Sequence, residues 1–500
     1  MRYLFGFLCV CALGVVPLVG CSETAGEGGS GGTGGAPCVG DTDCDDGSEC
    51  TEDACDSATG ACEYMTLEGP CTVDDVAGFC EDGVCCSEGN PMGPSCDPYL
   101  AEKFPDQCIC EPTRCQIDDD CDDDYNDCTE GLCSDTSRCS QPAVMDGTAC
   151  AGGTCEAGVC SLTTTVLPCN EQGIRNAVAA GGDEPYTFDC SGPTTVVTLA
   201  EIRVYSNVTL DGQGELTLDG NGAHTVFWLP EEAALELRGF GVTNASADGI
   251  SGGTLTVTNS SVSGHGGAGI SGETVTVTNS SVSGNGAAGI RGRTVAVTNS
   301  SVSGNTGGGI AVDRGTMSVT QSTVSGNSRN SGGGIWANEA SVTVVNSTVS
   351  GNSVEFYGSA IFVNGSTLTL ANSTVSGDIS TYDRNSITNS STVFRGACTQ
   401  QNAGAIWTSN GYNIESPGDT CGFDQTGDLV NITEGQLDLG ELANNGGPTM
   451  THALGTDSDA IDHIPAVDCG VTTDQRGEPR PETGGDACDV GSFERQPEDP

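Results

Sequence analysis

Two runs of carboxylates are the densest chemistry in this chain. Asp41, Asp43, Asp45 and Asp46 form the first; Asp118 to Asp120, Asp122 to Asp124 and Asp127 form the second. Crowded carboxylates on tight loops are what Ca²⁺ requires, so Asp41, Asp43, Asp45, Asp118, Asp120, Asp122 and Asp124 are its candidate ligands. The order of an EF-hand loop is not met, because Asp46 stands where the Gly belongs and the second run has no Gly. A solvated acidic surface is the competing reading. No other cofactor is implied. Asp248, Glu273, Asp313 and Asp378 stand singly, and the histidines at 224, 265, 452 and 463 never take metal-ligand spacing. The many serines have no neighbouring His and acid to activate them, and no Gly-rich phosphate loop follows a strand. Arg329, Trp336, Phe356 and Tyr357 gather near two inserted loops, where aromatic faces beside a strand could hold a sugar. Ordinary loop packing is the alternative.

The elements that must position these residues are set by a repeat. Asn259-Ser-Ser-Val-Ser-Gly264 recurs with first residues Asn279, Asn299, Gln321, Asn346 and Asn372, at steps of 20, 20, 22, 25 and 26. Such a period marks a solenoid. Within one unit, Leu255 and Val257 alternate with Thr254, Thr256 and Thr258, which is the period of a half-buried strand. Val262 and Ile270 point inward at two further places, separated by Ser- and Gly-rich turns. Three inward points without a helix between them predict a three-faced parallel β-helix, with Val262, Val282, Val302, Val324, Val349 and Val375 in one file. Asn259 keeps the inward parity of Val257, so a stacked amide ladder is expected at the repeated Asn; turn geometry is the simpler use of that residue. About nine coils fit between Thr194 and Arg395, roughly 45 Å at about 4.8 Å each.

The chain has 69 acidic and 16 basic residues and a net charge of −53, which excludes nucleic acid as a partner. It also opposes polyuronates unless Ca²⁺ bridges the two. Twenty of the 29 cysteines lie between Cys38 and Cys160, a density that reads as disulfides in an exported protein. They form two copies of one acidic module over 38–160, most alike in Cys50-Thr51-Glu52 and Cys128-Thr129-Glu130. Residues 1–20 read as a secretion signal, 21–37 as a Gly/Ser-rich tether and 161–168 as a linker. Cys169 to Val178 reads as a short amphipathic helix, stapled by Cys169 and Cys190 and covering the open end of the first coil. The β-helix with this cap occupies 169–430 and a capping tail 431–500.

Leu18-Val19-Gly20-Cys21 resembles the bacterial lipobox, which implies that Cys21 becomes the lipidated N-terminus and anchors the protein to a membrane. The tail carries Asn444-Asn-Gly-Gly-Pro-Thr-Met-Thr-His452, Thr473-Asp-Gln-Arg-Gly477, Arg480-Pro481 and Cys488-Asp-Val-Gly-Ser-Phe-Glu494. This set resembles the choice-of-anchor Q surface proteins of bacteria, whose coils are similar to the pectate-lyase-like right-handed β-helix. The resemblance implies a right-handed, single-stranded solenoid in an all-β chain with a small disulfide-rich N-terminal region. It further implies a tail closed as a lid by Cys469 and Cys488.

Polysaccharide enzymes also use this fold, so catalysis has to be weighed. Gly264-His265-Gly266 resembles the Gly-flanked His of polygalacturonases, but the paired Asp and Arg-Ile-Lys motifs of that family are missing, and the coils contain no Lys. The expected function is a lipid-anchored, outer-membrane protein at the cell surface, without catalysis, in adhesion to an extracellular glycan or surface protein. A polysaccharide lyase or hydrolase is the alternative. A third reading, an ice-binding face on Thr256/Thr258 and Thr276/Thr278, is interrupted by Ala296, Val345 and Ala371.

Overall fold

The computed structural model describes residues 142–499 except residue 403, residues 128–129, 132–133 and 139–140, and the backbone of five strands between Thr51 and Ser87. The carboxylate runs and Cys21 lie outside the described residues, as do the signal and the tether. The chain divides into two units, Met1–Arg114 and Cys115–Pro500. In the first, Thr51–Asp56 and Ala61–Thr66 form an antiparallel hairpin, and Gly69–Val73, Val76–Glu81 and Val84–Ser87 an antiparallel meander. No helix among the described residues is long and apolar enough to cross a membrane.

The second unit opens on disulfides Cys128–Cys155 and Cys150–Cys160. The Cys128, Cys150 and Cys160 sulfurs lie within 4.8 Å of one another, but each is oxidised and so cannot ligate zinc as a thiolate. The expected helix spans Glu171–Ala180. Asn170 caps it by accepting from the Gly173 N–H, and Gly181 at φ 61° ends it. Ile174, Ala177 and Val178 are buried against the first coils, and Cys169 is bonded to Cys190. The cap and its staple are as expected.

From Val166 to Ser416 one continuous sheet of 26 strands winds into a parallel β-solenoid of about twelve turns. That is more than the nine coils counted between Thr194 and Arg395, because the coils outside that stretch lack the repeated phrase. Val262, Val282, Val302, Val324, Val349 and Val375 pair rung to rung in one file, and each is completely buried. Fully burying such a side chain is worth about 1.5–3 kcal/mol. Ile250, Ile270, Ile290, Ile310, Ile335 and Ile361 form a second file.

The amide ladder exists, but not where the repeated Asn predicts it. Asn259, Asn279, Asn299, Gln321, Asn346 and Asn372 all take left-handed backbone, φ 48–51°. Asn adopts this conformation more readily than most residues. That turn sends Asn259 outward and the next residue inward. Ser260, Ser280, Ser300, Ser322, Ser347 and Ser373 therefore make the ladder at this corner, each backbone N–H donating to the next Ser Oγ at 3.0–3.3 Å. The stacked amides stand one turn later. Asn285 Nδ2 donates to Asn305 Oδ1 at 2.8 Å, Asn305 to Asn327 at 2.8 Å, and Asn327 to Asn352 at 3.0 Å. All four are buried.

The tail is more than an end lid. It runs back along the side of the coils and is stitched to the column Thr323, Thr348, Thr374. Gln475 Nε2 donates to Thr323 Oγ1, Thr348 Oγ1 donates to Gln475 Oε1, and the Ser492 N–H donates to Thr374 Oγ1. His452 joins Gly440 to Ser350. A second core of Val393, Ile414, Leu437, Ile464, Val490 and Phe493 lies under the tail, and Cys469–Cys488 closes it as expected.

Two tail acids give this docking a pH dependence. Burial pushes the Asp489 carboxyl up to about 6; burial and the Asp489 charge push Glu494 up to about 8. Between the ordinary carboxylate range and these values the folded tail binds protons that the unfolded chain does not. Its stability therefore falls as pH rises from about 4, the loss through Asp489 being complete near 6 and that through Glu494 near 8. His452, whose pKa burial lowers from 6.5, works the other way: its contribution is lost as pH falls below 6.5. Two acids outweigh one histidine below pH 6, so the tail should be tighter near pH 4 than at pH 6, with roughly 3 kcal/mol at most lost through Asp489 over that interval and a further loss through Glu494 up to about pH 8. Protease release of the tail, followed from pH 4 to 9, checks this; Asp489→Asn should flatten the profile below about pH 6.

Candidate functional site

The two longest coils of the repeated phrase carry inserts that leave the main sheet and pair with each other. Ser328–Ser331 and Ser353–Tyr357 form a separate parallel ribbon. Its start is held by the ladder residues Asn327 and Asn352. Its end is turned by Gly332 and Gly358, at φ 71° and 65°. A Cβ on Gly358 would lie 2.4 Å from the Ile361 carbonyl, so only Gly fits there.

This ribbon makes a ledge beside the outward-facing Trp336. The Arg329 guanidinium lies 4.7 Å over the Trp336 ring. Arg329 has no ion pair among the described residues, and burial lowers its pKa. A cation held over indole without a carboxylate keeps its donors for a ligand. Phe356 is 60% and Tyr357 40% exposed, with ring centres 6.4 Å apart. Of the four residues expected here, Arg329 and Trp336 are brought into contact with each other, and Phe356 with Tyr357, on the two strands of one ribbon and the adjoining coil. Exposed aromatic faces with a free guanidinium suit a ring with one apolar face and many hydroxyls.

The other candidates are structural. His265 is buried, its ring Nδ1 accepts from the Ala245 N–H at 3.0 Å, and its backbone N–H donates to Asn285 Oδ1. It heads the amide ladder, and burial lowers its pKa to about 4. His224, His452 and His463 are each hydrogen-bonded to Thr198, Gly440 and Gly427 respectively. Asp248 is tied to Arg291 and the Ala268 N–H, Glu273 to Arg293, Asp313 to Asn338, and Asp378 to the Ala397 N–H.

One concavity escaped the sequence reading. A groove of about 580 Å³ follows the left-handed corner over Asn259, Asn279 and Asn299, floored by Leu216 and Phe240 and ended by Pro448 of the tail. No charged residue lines it. It is the uncovered continuation of the strip on which the tail sits. The repeated phrase itself carries the signal, since the third residue is Ser261, Ser281 and Ser301 along the groove but Thr323, Thr348 and Thr374 beneath the tail. The added methyl is spent only where protein covers it.

A family model described as "Right handed beta helix region" matches residues 206–349. The solenoid is thus a right-handed parallel β-helix. A comparison of the sequence with curated proteins finds no match. Among solved structures, the chain is similar to the pectate lyase Pel9A, with a TM-score of 0.42, 14% identity, and coverage of 64% of this chain and 90% of that one. It is also similar to tailspike protein 2 from Escherichia coli O157:H7 bacteriophage CAB120, with a TM-score of 0.33, 12% identity, and coverage of 79% of this chain and 66% of that one.

Proposed function

We propose that this chain is a lipid-anchored surface rod that holds an extracellular glycan on the ledge of Arg329, Trp336, Phe356 and Tyr357 without transforming it. The observation that carries the reading is the stack of an acid-free guanidinium on Trp336, beside two exposed aromatic rings on a ribbon that projects from the coils. The choice-of-anchor Q resemblance, the lipobox at Cys21 and the tether at 21–37 agree with display away from an outer membrane. The single acids on the coils, each engaged by a neighbour, favour binding over lyase or hydrolase chemistry.

A glycan array probed with the labelled chain tests this. Specific binding to a sugar polymer is expected, with Trp336→Ala weakening it at least tenfold and Phe356→Ala several-fold, since losing one stacked ring costs about 1–3 kcal/mol. Cleavage of a polyuronate by the unmodified chain would replace the binding reading with the enzymatic one.

A further inference from the structure

The ledge is one end of a longer feature. From Trp228 the rung-to-rung register passes through Ser251, Ser271, Arg291 and Ala311 to Trp336, so all six face outward from one column. Two of the three tryptophans of the chain therefore lie on a single line along the solenoid. Trp228 has its own guanidinium and its own phenol. Arg203, its partner in the preceding coil, lies 5.9 Å from the ring centre, and Tyr205 meets the ring edge-on at 6.2 Å. Tyr205 is 66% exposed, and Trp228, like Trp336, is only half-buried. The third, Trp407, instead packs against the core.

Between the two platforms the floor is low. Ser251, Ser271 and Ala311 are small, and Arg291 is bound to Ser271 Oγ and Asp248, each at 2.7 Å, which lays its side chain along the column rather than across it. Five coil steps separate the tryptophans, roughly 24 Å at about 4.8 Å per coil.

The charges on this column select among ligands. Arg203 is neutralised by Glu201 at 3.1 Å and Arg291 by Asp248 at 2.7 Å, while Arg329 alone has no acid among the described residues. A polyanion would meet little free positive charge here, on a chain of net charge −53. Hydroxyls can still accept from the guanidinium edges.

We infer that this column is one continuous binding strip for a linear, uncharged polysaccharide lying parallel to the solenoid axis, with Tyr205–Trp228 and Arg329–Trp336 as its two end platforms. The inference rests on the glycan reading of the ledge and adds the second platform, the length of the ligand and its lack of charge. A ligand reaching both platforms gains the second contact intramolecularly, so affinity rises steeply once the chain is long enough.

The test compares three-sugar and eight-sugar fragments of cellulose, xylan and mannan, with octagalacturonate beside them, by titration calorimetry on the full chain. At least one uncharged octamer should bind tenfold or more tighter than its trimer. Trp228→Ala should erase that advantage, bringing the octamer down to the affinity of the trimer. Tyr205→Ala, at a side chain too exposed to disturb folding, should cut the octamer several-fold. Trp336→Ala should weaken both lengths. If the octamer keeps its advantage in both the Trp228 and Tyr205 variants, or octagalacturonate binds as tightly as the uncharged octamers, the strip is wrong while the ledge stands. If no fragment binds at all, the ledge and the strip fall together.

Discussion

Asn305→Ala should cost about 3 kcal/mol, the loss of a buried hydrogen-bonded amide plus a small cavity. Asn305 is fully buried, and its Oδ1 accepts from both the backbone N–H and Nδ2 of Asn285, at 3.1 and 2.8 Å. Its Nδ2 donates to Asn327 Oδ1 and to the Val282 carbonyl. Truncation strands donors in the coil before it and an acceptor in the coil after. Water cannot reach them. In a solenoid each coil is held mainly by its two neighbours, so hydrogen exchange should quicken in the coils around 285–327 before it does elsewhere. Asn299→Ala is the control: its side chain lies at the surface corner, and the change costs only the left-handed backbone penalty, roughly 1–2 kcal/mol. Urea denaturation of both variants decides the matter. A smaller loss for Asn305→Ala than for Asn299→Ala would overturn the placement of the ladder.

The tail should be more sensitive still. Arg476 is almost completely buried, with Nε 2.8 Å from Asp474 Oδ2, Nη2 donating to the Glu494 carbonyl at 2.6 Å, and Nη1 donating to the Asn445 carbonyl at 3.1 Å. Its guanidinium lies 3.8 Å from the Phe493 ring centre. Arg476→Ala leaves the Asp474 carboxylate, which is fully buried, without its cation, a change worth about 3–5 kcal/mol. Arg476→Lys should recover only part, because an ammonium cannot make the same planar fork. Because the coils form their own core, the expected outcome is release of the tail with the rod intact. Limited proteolysis with mass spectrometry would show early cleavage after about residue 440, and Asp474→Asn in the same chain should restore some resistance. Simultaneous loss of coils and tail would show that the two are one cooperative unit.

These two sites differ in how far they could be read from the residues alone. Val262 and its equivalents announce their file because β-branched residues at a fixed period have little other use. The amide ladder was obscured by its own sequence. The repeated Asn259 looks like the ladder residue when parity is counted straight through a left-handed turn, and the equivalence of His265 with Asn285 and Asn305 reads, from sequence alone, as a shared turn position rather than an inward column. The tail motif Thr473-Asp-Gln-Arg-Gly477 was visible, but its division of labour was not: Asp474 and Arg476 hold the tail to itself, while Gln475 reaches across to Thr323 and Thr348 and the Thr473 carbonyl to Asn346. Neighbours 127 to 152 residues away leave no local periodicity. The ledge was legible because its inserts lengthen the repeat from 20 to 25 and 26 residues. The Trp228 platform was not, since the coil that carries it lacks the phrase by which the others are aligned.

The stitches between Thr323, Thr348, Thr374 and the tail also have a mechanical consequence. Under tension along the axis, a plain stack of coils peels one rung at a time, each rung bearing the whole load in turn. Rungs laced together from outside must share it and give way as a block. The coils carrying Ser261, Ser281 and Ser301 have no such lacing, so a steady pull would unspool that stretch first and leave the laced half wound.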